Sequence, residues 1–300
     1  MQFRILGPPD LYDENGDRSV PLNAPKTRLL IGALLAQPNF PVPRSLLIRE
    51  LWGATPPRQA AHTLNAHVST LRKSLLRLEP EGAEGQRLSA REAGYALRAA
   101  PAETDAGRFR EAVTAARRSA ERDPGTACTV LGAALALWRG DVLGGGTRGP
   151  VCTPLAARLE RERQEALEIY FDCALRTGRH QQVVPELEAA VAAHPLRERF
   201  HDQLMLALCR CGRGPEAIGV YRRARRRLAA VGGAAATPLL TARLEQISVC
   251  SPVLTDPGAA APESAVPRPG TGAAEEPEEP SALSVAGYLT QLLSGRVLAS

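Results

Sequence analysis

A chain of 300 residues, 44% of them hydrophobic, is long enough for two ordinary domains, each with its own core. Its formal charge of +5 is uneven: the body is basic, whereas residues 251–300 set Arg268 and Arg296 against Asp256, Glu263, Glu275, Glu276, Glu278 and Glu279. Six cysteines without C-x-x-C spacing argue against a zinc site and a disulfide framework, and the lack of an apolar run of about 18 residues or of a signal sequence argues for a soluble cytoplasmic chain without membrane contact.

Residues 2–6 and 19–22 read as short strands separated by a polar, glycine-containing turn at 13–17, which predicts a small N-terminal sheet. From Lys26 the period becomes helical, with Leu29, Leu30, Ala33, Leu34 and Ala36 on one face and Pro38-Asn39 as the stop. A second helix is expected over 44–52, with Leu47, Ile48 and Leu51 inward, ending at Gly53. The turn 53–57 then leads into a long third helix at about 59–78. Apolar segments at 87–89 and 95–97 flank Arg91-Glu92-Ala93-Gly94 and read as a hairpin.

Beyond about residue 100 the pattern is helical throughout, including helices at about 105–122 and 126–139. Gly178-Arg179 recurs as Gly212-Arg213, Val184 as Ile218, Leu187 as Tyr221 and Ala190 as Ala224, each 34 residues on. That is the tetratricopeptide period, in which helix pairs stack on a shared core. Past Cys250 the chain turns to Pro, Ala, Gly, Glu and Ser, a composition expected to stay disordered over 251–281. Leu283, Val285, Tyr288, Leu289, Leu292, Leu293 and Val297 again have helical spacing, either a short helix without a special role or one that docks on a partner or on the body of the protein. The expected organisation is therefore mainly α: a winged helix-turn-helix at 1–99, an all-helical tetratricopeptide-like domain at 100–250, a linker at 251–281 and a short C-terminal helix at 282–300.

On a helical wheel Leu64, Val68, Leu71 and Leu75 of the third helix fall together, which fixes the opposite face as His62, Ala66, Ser69 and Lys73, with Thr70 beside them and His67 and Arg72 on the flanks. Small and polar side chains let a helix approach base edges in the major groove, and basic flanks reach phosphates. Two short helices, a turn, a long helix and a hairpin with Arg91 at its tip reproduce the order of a winged helix-turn-helix. A helical interaction scaffold is the competing class, since the 34-residue repeat supports it equally; a repressor would use the same DNA-binding face. For catalysis the residues offer little: Asp141 and the run Gly144-Gly145-Gly146 lack a preceding strand, and Cys209 and Cys211 would point about 200° apart on a helix. No enzyme, metal or cofactor is expected.

The stretches Lys26-Thr-Arg-Leu-Leu, Ser45-Leu-Leu-Ile-Arg-Glu-Leu-Trp-Gly, His67-Val-Ser-Thr-Leu-Arg-Lys and Gly94-Tyr95 resemble the OmpR/PhoB-type winged helix. Thr104-Asp105 to Phe109, Ala134-Leu-Ala-Leu-Trp-Arg-Gly-Asp141, His194-Pro-Leu-Arg-Glu198, Gln203-Leu-Met-Leu-Ala-Leu208 and Tyr221-Arg-Arg resemble the bacterial transcriptional activator domain. Together, over about residues 1–248, they resemble the Streptomyces antibiotic regulatory proteins. The resemblance implies a pathway-specific activator that binds direct repeats in double-stranded DNA as a homodimer and recruits RNA polymerase. It implies base reading by Ala66, Thr70 and Arg91, and phosphate contacts from Trp52, His62, His67, Arg72 and Ser89, with Ser69 and Lys73 on the same face. Thr70 stands where such helices often carry arginine, and residues 229–235 replace a more acidic stretch of the family. Neither a receiver domain before the winged helix nor a Walker motif is present in this sequence, so control by those routes is not expected.

Overall fold

The computed structural model describes residues 1–13, 18–78, 87–232 and 238–249. Most of the turn expected at 13–17, the linker at 251–281 and the segment at 282–300 lie outside the described residues. Small sheets come first and helices make up the rest, in two compact units: Met1–Thr114 with Gly132–Ala166, and Ala115–Leu131 with the chain from Leu167 onward.

In the first unit, β1 (Gln2–Arg4), β2 (Asp10–Asp13) and β3 (Arg18–Pro21) form an antiparallel sheet in that order. Phe3 faces Leu11 and both are fully buried, while Arg4 forms a two-pronged ion pair with Asp10 on the opposite side. The middle strand is an element that the apolar runs did not announce, because Asp-Leu-Tyr-Asp is too short and polar to show a period. Next come α1 (Pro25–Ala36), β4 (Val42–Pro43), α2 (Arg44–Trp52), α3 (Ala60–Leu76), β5 (Leu88–Arg91) and β6 (Gly94–Leu97).

Helix α1 begins with proline at its first turn, where no backbone donor is needed, and is buried nearly all round: Leu30, Ile31, Ala33 and Leu34 are at most 1% exposed, whereas Leu29 and Ala36, expected on the inner face, are half-buried. Asn39 ends this segment by a left-handed backbone, φ 72°, and by bonds to the chain after β6: its N–H donates to the Leu97 carbonyl at 2.8 Å and its amide pairs with the backbone of Ala99. In α2, Leu47 and Leu51 are buried as expected, Ile48 only half so. The second sheet has the order β4-β6-β5. Gly94 is fixed by the close approach of β4, since a Cβ there would lie 1.9 Å from the Val42 carbonyl oxygen.

Residues beyond 100 complete this unit. Asp105, at the start of α4 (Asp105–Ser119), is 1% exposed and accepts hydrogen bonds from the backbone of Ile5, Leu6 and Ala106 at 2.8–2.9 Å. Trp138 packs edge-on against Phe109 at 5.5 Å, the Arg139 N–H donates to the Leu6 carbonyl at 2.7 Å, and the Leu143 N–H to that of Ile5 at 3.0 Å. Gly144, Gly145 and Gly146, with φ between 72° and 81°, make a turn in this segment. Glu50 of α2, 3% exposed, accepts from the backbone of Gly149 and Val151 at 2.7 and 2.6 Å, so it closes the N-terminal end of α6 (Cys152–Arg176).

The second unit is helical: part of α5 (Pro124–Leu135), the end of α6, α7 (His180–Ala193), α8 (Glu198–Arg210), α9 (Gly214–Gly232) and α10 (Pro238–Ser248). Helices α4 and α5 each end a few residues before the expected 122 and 139. The 34-residue self-similarity has a structural counterpart. Gly178 and Gly212 have φ 75° and 74°, and the bond from Arg179 N to Ala174 O at 2.9 Å recurs from Arg213 N to Leu208 O at 2.8 Å. Val184, Leu187, Ala190, Tyr221 and Ala224 are buried, Ile218 half-buried. Arg243 and Asp202 form an ion pair at 2.7 Å with both side chains 1% exposed. Cys128, Cys152 and Cys173 are buried free thiols; Cys209 and Cys211, near the end of α8, are half-exposed. Among the described residues no helix is long and apolar enough to cross a membrane.

Candidate nucleic-acid interface

Helix α3 owes its orientation to Ala60, Leu64, Val68, Leu71 and Leu75, all at most 5% exposed. With five inward positions at helical spacing, the opposite face is set. His62, Ala66, Ser69, Thr70 and Lys73 are exposed on it, while His67 and Arg72 are half-buried at its edges. Asn65, which the wheel argument passed over, is exposed there too.

Two hydrogen bonds tie this helix to the hairpin. The Tyr95 hydroxyl on β6 donates to Asn65 Oδ1 at 2.7 Å, and Arg72 Nε donates to the Leu88 carbonyl on β5 at 3.0 Å. The two helical residues are seven apart and thus on one side, so the hairpin is held at both ends of a two-turn stretch. Arg91 ends β5 directly before the turn and is exposed; Ser89, one alternation earlier, is half-buried. Arg44 lies over the Tyr95 ring at 5.3 Å.

At the other edge, Trp52 is half-buried with Lys26 Nζ 4.3 Å from its ring centre and the His67 ring 6.3 Å away. Burial, helped by the Lys26 charge, holds the His67 imidazole below its ordinary value. It is therefore neutral at pH 7.5, a donor of one N–H and not a cation. Lys26 supplies the positive charge at this corner, a role that its place at the start of a helical pattern did not reveal. The Thr70 hydroxyl donates to the Ala66 carbonyl at 3.0 Å, so it presents a methyl group and acceptor lone pairs outward. Arg58, Lys73, Arg77 and Arg91 are exposed, and among the described residues no carboxylate lies within ion-pair distance of them. No three His, Cys, Asp or Glu side chains among the described residues gather in a way that could hold a metal.

The surface is thus a helix face of small and polar side chains, a basic rim, and a bonded hairpin ending in an exposed arginine. Such a face can hydrogen-bond base edges and neutralise phosphates.

Comparison with known proteins agrees with this chemistry. Residues 17–97 match the family model for the C-terminal domain of transcriptional regulatory proteins, and 104–248 that for the bacterial transcriptional activator domain. The chain is 35% identical over 260 residues to the transcriptional regulator RedD of Streptomyces coelicolor, covering 86% of this chain and 73% of that protein. It is 35% identical over 269 residues to the regulatory protein AfsR of the same organism, covering 88% of this chain but only 26% of AfsR. Among solved structures, Mycobacterium tuberculosis EmbR in complex with a low-affinity phosphopeptide superposes with a TM-score of 0.74 at 33% identity, over 84% of this chain and 65% of that one.

Proposed function

The chain belongs to the Streptomyces antibiotic regulatory proteins, transcriptional regulators that join an OmpR/PhoB-type winged helix to a bacterial transcriptional activator domain, and from this we propose that it activates a secondary-metabolite gene cluster by reading direct repeats near the promoter and recruiting RNA polymerase. The observation that carries the reading is the double tie of α3 to the wing, which makes the exposed helix face and Arg91 one rigid surface.

On this reading α3 enters the major groove, with Ala66 and Thr70 at base edges and Ser69 beside them, while Arg91 enters the adjacent minor groove. Trp52, His62, His67, Arg72, Lys73 and Ser89 line the phosphates on either side. Because the Thr70 hydroxyl is already a donor to its own helix, Thr70 favours a thymine methyl or a cytosine amino group over a guanine edge. Two copies bind side by side, with half-site centres about 10 base pairs apart so that both helices face one side of the duplex. The helical domain holds the pair together, and the turn at 53–57 faces polymerase. The site of action is the cytoplasm.

Selection of bound DNA from a random pool tests this. The reading predicts two direct repeats at helical-turn spacing and a changed preference at one base pair per repeat when Thr70 is replaced by Arg; a pool without repeats, or a Thr70 variant with the same preferences, contradicts it.

A further inference from the structure

The second unit carries a cationic face that DNA reading does not use. Helix α9 contains Arg222, Arg223, Arg225, Arg226 and Arg227, all exposed, on the side opposite buried Ala217, Val220, Tyr221 and Ala224. Among the described residues none of the five has a carboxylate within ion-pair distance, in contrast to Arg213 and Glu216 at the start of the same helix, which pair at 2.6 Å. Local sequence offers no counterion either: residues 217–244 contain no Asp or Glu. Of the acidic groups on the elements packed against α9, Asp202 of α8 is committed to Arg243. The charge reaches inward, only partly offset by Glu216, which feels Arg223: burial first, with Arg227 and Arg223 adding to it and the Pro195 carbonyl and Glu198 opposing, holds His201 below its ordinary value.

We propose that this arginine face is a docking site for an acidic peptide, and that its occupant is the chain's own segment Glu275-Glu276-Pro277-Glu278-Glu279. Charge complementarity is the first argument, since the segment sets four carboxylates in five residues against Arg222, Arg223 and Arg226 on the outward side of α9, with Arg225 and Arg227 on its two flanks. Tethering is the second. Helix α10, which packs on both α8 and α9, ends at Ser248, and the chain from there to Glu275, at up to about 3.3 Å per residue, is long enough to return to α9. A tethered segment is present at an effective millimolar concentration, which offsets the weakness of each exposed ion pair. Docking would mask the cationic face from other polyanions until a stronger one displaces the segment.

Labelling of arginines with phenylglyoxal, followed by mass spectrometry of the full chain at low salt, tests the assignment. In the variant Glu275→Gln, Glu276→Gln, Glu278→Gln, Glu279→Gln, labelling at residues 222–227 should be about threefold faster or more than in the unaltered chain, with Arg77 unchanged as the internal reference. Salt of about 0.5 M should abolish the difference. Equal rates in the two proteins overturn the proposal, as does an equal acceleration at Arg77, which would mean unspecific attraction. Equal rates combined with protection only when DNA is added would assign the face to the phosphate backbone instead.

Discussion

Arg72 and Leu88 join α3 to the hairpin, Nε donating to the carbonyl at 3.0 Å from a half-buried side chain. Arg72 therefore positions the hairpin with one edge of its guanidinium, and on the proposed reading its remaining N–H groups serve phosphate. Arg72→Ala is expected to lower unfolding stability by about 1 kcal/mol and to weaken binding to every DNA alike. Thermal unfolding and gel shifts on base-substituted sites check both parts; unchanged stability would reduce Arg72 to a phosphate contact.

The neutral state of His67 makes a prediction about salt. At pH 7.5 His67→Gln should leave the slope of log affinity against log salt unchanged, because no cation is removed. Lys73→Gln should reduce that slope by about 0.9, the loss of one released counterion. A similar reduction in both variants would show that His67 binds DNA as an imidazolium.

Asp105 sets a pH dependence in the first unit. Burial pushes its carboxyl from the ordinary 3.8 up to about 6, against the backbone donors of Ile5 and Leu6 and against Arg139 at 3.7 Å. A raised acid binds its proton in the folded state before the unfolded one does, so its contribution is full below about pH 4 and is lost as pH rises through about 6. Urea unfolding of the unaltered protein and of Asp105→Asn should therefore diverge in favour of the former as pH falls from 7 to 4.5. A gap that narrows instead would mean that the ionised carboxylate is the stabilised form.

In the second unit the buried pair Arg243 and Asp202 gives an asymmetric expectation. Asp202→Leu or Arg243→Met alone leaves an unpaired buried charge and should cost about 3–5 kcal/mol, whereas the double replacement should recover most of it. Denaturant midpoints of the three variants measure the coupling; additive losses would show that the two residues act independently.

The stripe Leu64, Val68, Leu71 and Leu75 was readable because a 17-residue helix repeats its period several times, and it placed the exposed face correctly. The two-residue strand β4 and the strand β2 were not: β4 is too short to show any pattern, and Asp10-Leu-Tyr-Asp is too polar to read as an apolar run. Glu50 and Asp105 were equally hidden. An acidic residue in a helical pattern reads as solvated, and only the fold shows each turned inward to satisfy backbone N–H groups about a hundred residues away in the chain. Asn65 was missed for a related reason: its partner Tyr95 lies 30 residues on, and no local spacing links them.

The central claim is that α3 and the wing read DNA, and a salt-titrated gel shift of the full chain tests it most directly, with its own upstream promoter DNA, a scrambled duplex and the variants Arg91→Ala and Arg72→Ala. The account predicts promoter-selective binding that weakens linearly on a log-log salt scale, loses its selectivity in Arg91→Ala and weakens on both duplexes alike in Arg72→Ala. Folded protein that binds neither duplex, or both equally, would contradict it.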